Sequence, residues 1–274
     1  MLPAQYVIDF VLFSFLGWLW ETFYCAANSG KFTNRGFLFG PVCPIYGTGG
    51  LLLKIVFGAL KASGAADAPA WLVFVASMLG SMVLEYSVSW YLEKRFHARW
   101  WDYSHAPFNV NGRICLFASL AFGAVGVLAY KVLFPRMVMA DANVPAFAVE
   151  LAALVLTFLL GCDFALTEAS LHSLLQKIEE LENEFVERGE AARAAVASAP
   201  EELRERVSEA KKNAKEKGGE LTEAFAERLR GTAAAMSRLQ AHSLRSMKKF
   251  RAVRPDAEKA TVGSRLKELL GKRG

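Results

Sequence analysis

Two glutamates inside apolar stretches are the first residues of this sequence that suggest chemistry. Glu21 and Glu85 each lie in a long run of apolar residues. A carboxylate in such a run is costly and is by default a candidate functional group, because it must be protonated, hydrated or paired. Glu85 belongs to a stripe of polar residues at four-residue spacing, which is expected to face another helix or a polar cavity. The stripe consists of Ser77, Ser81, Glu85, Ser89 and Glu93.

Two loops supply the other polar candidates. Residues 34–47 are rich in glycine and proline, which fix turns and expose backbone donors, and residues 99–113 combine arginines, aromatic residues and asparagines. With Glu21 and Glu85, the following loop residues are predicted to form a substrate-binding site: Asn34, Arg35, Arg99, Trp101, Asp102, Tyr103, Asn109, Asn111 and Arg113.

The arginines of this predicted site would bind a polar or anionic group, and the glutamates would pair with them or exchange protons. Arg35, in the rigid first loop, is the expected partner of Glu85. The alternative is that the arginines anchor the chain at the membrane surface, while Asp102 and the asparagines cap helices.

Motifs for catalysis are missing from the sequence. It has no GxxxxGK[ST] phosphate loop, no cluster at metal-ligand spacing and no recognisable nucleophile–base pair. Its four cysteines lack CxxC spacing and are interpreted as buried free thiols: Cys25, Cys43, Cys115 and Cys162. We therefore expect no cofactor and no metal, and the absence of motifs favours a chain that is not itself an enzyme. The chain itself therefore shows no sign of being an ATPase.

The elements that position these residues are predicted to be membrane helices. The chain has 274 residues, 53% of them hydrophobic, and its net charge of +5 resides entirely in residues 172–274. Five apolar stretches are long enough to cross a hydrocarbon core, with tryptophans near their ends. They are residues 4–25, 38–60, 70–92, 113–134 and 146–167. The expected fold is an all-α polytopic membrane bundle with a charged helical tail.

The first two stretches carry features of their own. The first lacks a basic start and contains Asp9 and Glu21, so it is expected to remain as a helix rather than to be removed as a signal peptide. The second begins with several glycines and prolines, which predicts a broken or re-entrant segment. It also contains Lys54, which needs a partner or a wet cavity.

Orientation follows from the loop lysines and arginines. The loops around residues 31–35 and 94–113, and the tail, hold more of them than the alternate loops. The positive-inside rule therefore predicts an outside N-terminus, and a cytoplasmic face that carries the polar site. On this interpretation residues 1–168 form a transmembrane domain, and residues 169–274 form a cytoplasmic tail.

The tail is predicted to contain three helical segments, divided at Pro200 and at Gly218-Gly219. The first segment contains a short coiled-coil seam, which consists of Leu171, Leu174, Ile178, Leu181 and Phe185. Its first segment is acidic and its end is basic, which favours a helical hairpin or a homo-oligomeric coil. The basic end is also suited to anionic membrane lipid, whereas nucleic acid is the weakest candidate partner because aromatic residues are scarce there. A solvated charged helix is the remaining alternative.

Several short motifs of the membrane part occur together in one order. They are Gly17-Trp18 and Glu21, Asn34-Arg35-Gly36-Phe37-Leu38, Gly40-Pro41, Pro44-Ile45-Tyr46-Gly47, Glu85-Tyr86, Leu92-Glu93, Trp100-Trp101-Asp102-Tyr103-Ser104, Asn109, and Asn111-Gly112-Arg113-Ile114-Cys115. Through them residues 14–116 resemble the putative ABC-transporter type IV membrane family of bacterial multi-pass proteins. The resemblance implies a permease in the inner membrane of a bacterium, but neither a substrate nor catalytic residues. If transport consumes ATP, a separate ATPase subunit must supply it.

Three functions from different classes are compatible with this sequence. The first is a permease-like or substrate-binding transport component with a polar site at the cytoplasmic face. The second is a membrane enzyme that acts on a lipid-linked substrate, with Asp102, Glu21 or Glu85 as acid or base. The third is a membrane scaffold that recruits partners through its tail.

Overall fold

The computed structural model describes residues 3–29, 34, 36–63, 67–141, 144–198, 220–250, 266–267 and 269–270. Eight α-helices have described bounds. They are α1 (Pro3–Ser29), α2 (Pro44–Ala62), α3 (Ala70–Phe96), α4 (Leu116–Leu128), α5 (Phe134–Asp141), α6 (Ala146–Ala197), α7 (Glu220–Ala235) and α8 (Arg238–Ser246). The strands have two residues each: β1 (Ala98–Arg99), β2 (Asn109–Val110), β3 (Ile114–Cys115) and β4 (Lys249–Phe250). The prediction of an all-α fold is confirmed.

Five helical segments are long and apolar enough to cross a membrane, as predicted. They are Pro3–Ala27, Pro44–Ala62, Ala70–Phe96, Leu116–Met139 and Ala146–Glu184. Large apolar side chains point away from the protein along them, among them Val83, Leu154 and Phe158, each more than two-thirds exposed. Such surfaces suit the hydrocarbon of a bilayer, so the chain is a multi-pass membrane protein.

The second span begins later than the predicted residue 38. Residues 37–41 form bends, and α2 starts at Pro44, where the missing N–H of proline costs nothing in the first helical turn. From there α2 is continuous to Ala62. The irregular entry predicted from the glycines and prolines is thus present, and it ends where the helix begins.

Glycines let neighbouring helices approach closely. A Cβ on Gly17 of α1 would overlap the Tyr46 ring of α2, and one on Gly50 of α2 would lie 2.6 Å from the Phe13 ring of α1. Gly123 of α4 meets Phe74 of α3 in the same way. Close approach through small residues is how membrane helices gain packing, because lipid removes the hydrophobic drive between them.

The buried lysine of α2 has the partner that the sequence required. The Lys54 Nζ lies 2.6 Å from an Asp9 carboxylate oxygen of α1, and both side chains are almost fully buried. This ion pair joins α1 and α2 within the apolar layer. Asp9 is thus the partner that Lys54 needs, because a charge exposed to lipid would not be tolerated.

The described residues cluster into two compact units. The first holds the chain up to Ala169 together with Ser246–Lys248, and the second holds the remainder. In the second unit, four of the five predicted seam residues are buried: Leu171, Leu174, Ile178 and Leu181. There Ser173 accepts a hydrogen bond from the Gln240 side chain at 2.9 Å, and Arg228 pairs with Glu184 at 2.9 Å. The predicted breaks at Pro200 and Gly218-Gly219 lie outside the described residues.

Candidate functional site

Two acidic side chains, Glu21 in the second half of α1 and Glu85 in the middle of α3, form the centre of the candidate site. The Tyr46 hydroxyl of α2 donates a 2.6 Å hydrogen bond to one carboxylate oxygen of Glu21. Glu85 is only 6% exposed, and its Oε2 has no hydrogen-bond partner among the described residues. Buried polar atoms are nearly always satisfied in native proteins, so an open oxygen points to a missing partner such as water, a proton or a ligand.

The negative charges of these acids affect the pKa of two neighbouring loop residues. Burial raises the pKa of the Tyr103 phenol above its ordinary value, and the negative charges of Glu85 and Glu21 raise it further. Burial raises the pKa of the Cys43 thiol to about 12, again with a contribution from Glu21. Tyr103 and Cys43 are therefore both protonated at neutral pH and can donate hydrogen bonds toward the acidic pair. We call Glu21, Tyr46, Glu85 and Tyr103 the acidic group.

The two arginines of the second loop share one buried carboxylate. Glu93, at the end of α3, lies 2.5 Å from the Nε of Arg99 and 2.8 Å from a terminal nitrogen of Arg113. Arg99 also donates to the Asn111 carbonyl at 2.8 Å, and Arg113 donates to the Ser89 hydroxyl at 3.2 Å. Both guanidinium groups are thus bound by the protein itself, which limits what they can offer to an anion.

The other polar residues of the second loop shape its backbone. β2 and β3 pair as an antiparallel hairpin, and the Asn109 side chain accepts from the Gly112 amide at 3.0 Å. Gly112 has a φ of +67°, which glycine adopts without strain. Asp102 accepts from the Ser104 amide and hydroxyl at 3.1 and 2.5 Å. These contacts are those of turn-forming side chains.

Trp101 and Asn111 tie the hairpin to its surroundings. The indole N–H of Trp101 donates to the Arg113 carbonyl at 2.8 Å, within the loop. The Asn111 side chain donates to the Tyr86 hydroxyl of α3 at 3.1 Å. The hairpin is therefore fixed on the end of α3, close to the ion pairs of Glu93.

The first loop is organised by Asn34. Its side-chain oxygen accepts from the Trp18 indole at 2.8 Å and from the Gly36 amide at 3.1 Å, and its nitrogen donates to the Phe39 carbonyl at 2.9 Å. Arg35, the predicted partner of Glu85, lies outside the described residues, so that pairing stays a prediction.

Asp163 of α6 is a polar residue that the candidate set lacks. Its two carboxylate oxygens accept the backbone amides of Phe39 and Gly40 at 2.9 and 2.8 Å. A carboxylate that receives two backbone N–H groups holds the loop firmly against α6. Like Glu21, Asp163 is a lone acid within an apolar stretch, and this feature would have identified it from the sequence.

The predicted site residues thus fall into separate groups. Glu21, Glu85 and Tyr103 belong to the acidic group, whereas Arg99, Asn111, Arg113 and Trp101 gather around or beside Glu93. Asn34 organises the first loop, and Asp102 and Asn109 shape the second. Glu93 was visible in the polar stripe of α3, but no local pattern indicated that it would bind both arginines.

Comparison with known proteins identifies the family. The family described as "Putative ABC-transporter type IV" matches residues 8–168, more than half of the chain. This range contains the five predicted apolar stretches almost completely and reaches Asp163, beyond the part that carries the sequence resemblance. No curated protein and no solved structure matched the chain. With five membrane-spanning helices and this match across them, the chain belongs to the "Putative ABC-transporter type IV" family.

Proposed function

We propose that this chain is the permease-like membrane component of a transporter, and that the acidic group binds part of the substrate. Membership of an ABC-transporter family and five spanning helices support a transport role. The single observation that carries the site is Glu85, a buried carboxyl group with one oxygen unpartnered among the described residues. An ionisable residue within a membrane span is a functional candidate by default.

The charges of the site favour a particular chemistry for the bound group. Two carboxyl groups lie near one another, while the nearby Arg99 and Arg113 are bound to Glu93. Such surroundings suit a group that carries positive charge or donates hydrogen bonds, such as an amine. The anionic group expected from the arginines alone is less suited, since those arginines are already paired.

The proposed orientation has the N-terminus outside and the acidic group in the cytoplasmic half of the membrane. Its support is the excess of lysine and arginine in the loops that follow α1 and α3. In this arrangement residues 1–168 form the transmembrane domain, and residues 169–274 form a tail in the cytoplasm of a bacterial cell. A separate ATPase subunit and a tail-mediated homo-oligomer with coiled-coil character are the proposed partners.

Native mass spectrometry tests the proposed site. The full chain is purified in mild detergent from its source cells as wild type, as Glu85→Gln and as Glu150→Gln. Glu150→Gln is the matched control, because it makes the same chemical change at an exposed position of α6. We expect a bound small molecule on the wild type and on Glu150→Gln, and at least a tenfold lower occupancy on Glu85→Gln, equivalent to about 1.4 kcal/mol.

Two outcomes would contradict the proposed site. Equal occupancy on all three proteins, or a bound molecule on none of them, would remove the acidic group as a substrate site. Detection of a chemically altered lipid-linked product instead would favour the enzymatic alternative.

A further inference from the structure

A small apolar cavity lies at the opposite ends of α2 and α3 from the acidic group. Its volume is about 150 Å³, and apolar side chains from the end of α2, the start of α3 and the turn after α4 line most of it. The lining residues used below are Phe57, Leu60, Lys61, Ala68, Leu72 and Tyr130. Because helix ends lie at the membrane surface, the cavity is at the level where lipid chains meet their headgroups.

Two lysines stand at the edge of this cavity. Lys61 is part of its lining, and its side chain is 75% exposed. The Lys131 Nζ donates to the carbonyl of Ala68, another lining residue, at 3.4 Å. Asp67 lies 3.7 Å from Lys61, but an ion pair this exposed is screened and contributes little. The described edge therefore has two cations and one anion, a net positive charge.

A π-helical turn forms one wall. Residues Ala129–Leu133 adopt this rare conformation between α4 and α5, and the turn contains both Tyr130 and Lys131. The Tyr130 ring packs 5.0 Å from the Phe57 ring, and its hydroxyl accepts the Ala68 amide at 3.2 Å. Single π turns inside α-helices are frequent at functional sites. Here the turn brings an aromatic wall and a cation to the same cavity.

We propose that this cavity binds an anionic phospholipid of the bilayer. Part of an acyl chain occupies the apolar cavity, and the phosphate lies between Lys61 and Lys131. The apolar lining favours hydrocarbon, and the net positive edge favours an anionic headgroup over a zwitterionic one. The tyrosine at the level of the headgroup is typical of membrane-interface aromatic residues.

The test compares two lipids on the delipidated full chain by native mass spectrometry. The probes are dioleoyl phosphatidylglycerol and dioleoyl phosphatidylcholine, titrated onto the wild type and onto Lys61→Gln/Lys131→Gln. We expect the wild type to retain phosphatidylglycerol at least about fivefold better than phosphatidylcholine, and the double variant to lose this preference. Both lysines are exposed, so their replacement leaves the fold intact.

Two further variants separate the contribution of charge to lipid binding from that of the cavity shape. Arg136→Gln removes a neighbouring exposed cation whose guanidinium donates to the Val132 carbonyl of its own helix, so it should retain the preference. Ala68→Phe fills the cavity without altering charge and should lower the binding of both lipids. Equal retention of the two lipids by the wild type, an equal loss in Arg136→Gln, or unchanged binding in a folded Ala68→Phe would each overturn the proposal.

Discussion

At the scale of single residues, two glutamates on one helix have opposite environments. Glu93 is surrounded by two guanidinium groups at 2.5 and 2.8 Å, whereas Glu85, eight positions earlier, has an oxygen without a partner among the described residues. A carboxylate that neutralises two buried arginines is structural, because those cations need its charge. An open one is available to a ligand or a proton. This contrast supports a structural role for Glu93 and the proposed binding role of Glu85.

Glu93→Gln is therefore predicted to destabilise the protein strongly. The change leaves two buried arginines without their counter-charge, which costs about 3–5 kcal/mol when one partner of a buried ion pair is removed. Thermal unfolding of the detergent-solubilised chain measures the effect as a lower Tm. The matched control is Glu168→Gln, since Glu168 pairs with Arg95 at a partly exposed position and should contribute only ~0–1 kcal/mol. Equal Tm losses in the two variants would contradict the structural role of Glu93.

At the scale of helices, the packing of α1 on α2 depends on positions without side chains. Gly17, Gly47 and Gly50 provide the space in which Tyr46, Ser14 and Phe13 lie. Tyr46 in turn donates its hydroxyl to Glu21, so the close approach of the two helices also sets the geometry of the acidic group. The same helix pair therefore links the stability of the protein to the proposed binding site.

Gly17→Ala should lower stability, because its Cβ would overlap the Tyr46 ring and force the helices apart. Overpacking of this kind costs roughly 1–3 kcal/mol. Gly80→Ala is the matched control, since nothing lies near a Cβ at that position of α3 and alanine favours helix. The expected result is a lower Tm for Gly17→Ala and an unchanged or higher one for Gly80→Ala. Two equal shifts would mean that the contact of Gly17 with Tyr46 does not limit the packing.

The sequence predicted the helices better than their ends and irregularities. Apolar length alone located all five spans, because hydrocarbon thickness sets that length. The π turn at Ala129–Leu133 has no signal in the local sequence, and the start of α2 at Pro44 required the backbone. Likewise, the position of Lys54 in an apolar stretch predicted that it needs a partner or a wet cavity, but only the packing of α1 on α2 identified Asp9. Long-range pairings depend on the fold, so local patterns do not determine them.

At the scale of the whole molecule, the transport account requires a defined orientation. The lysine and arginine distribution predicts that cysteines introduced near Lys31, at His105 and in the tail are shielded from an impermeant thiol reagent in intact cells. Cysteines near Asp67 and Asp141 should react. Permeabilised cells serve as the control, in which all positions become accessible. Labelling of position 105 from outside would reverse the orientation and move the acidic group to the other half of the membrane.

Untargeted metabolite uptake tests most directly whether Glu85 binds a transported substrate. Inside-out membrane vesicles from source cells, which retain any ATPase partner, receive a cytoplasmic metabolite extract and ATP, and mass spectrometry identifies what accumulates. Cells whose own copy is replaced by wild type, Glu85→Gln or Glu150→Gln provide the comparison. The account predicts a cationic or hydrogen-bond-donating metabolite that accumulates with wild type and Glu150→Gln and falls at least about tenfold with Glu85→Gln. Identical metabolite profiles from all three vesicle preparations would contradict it.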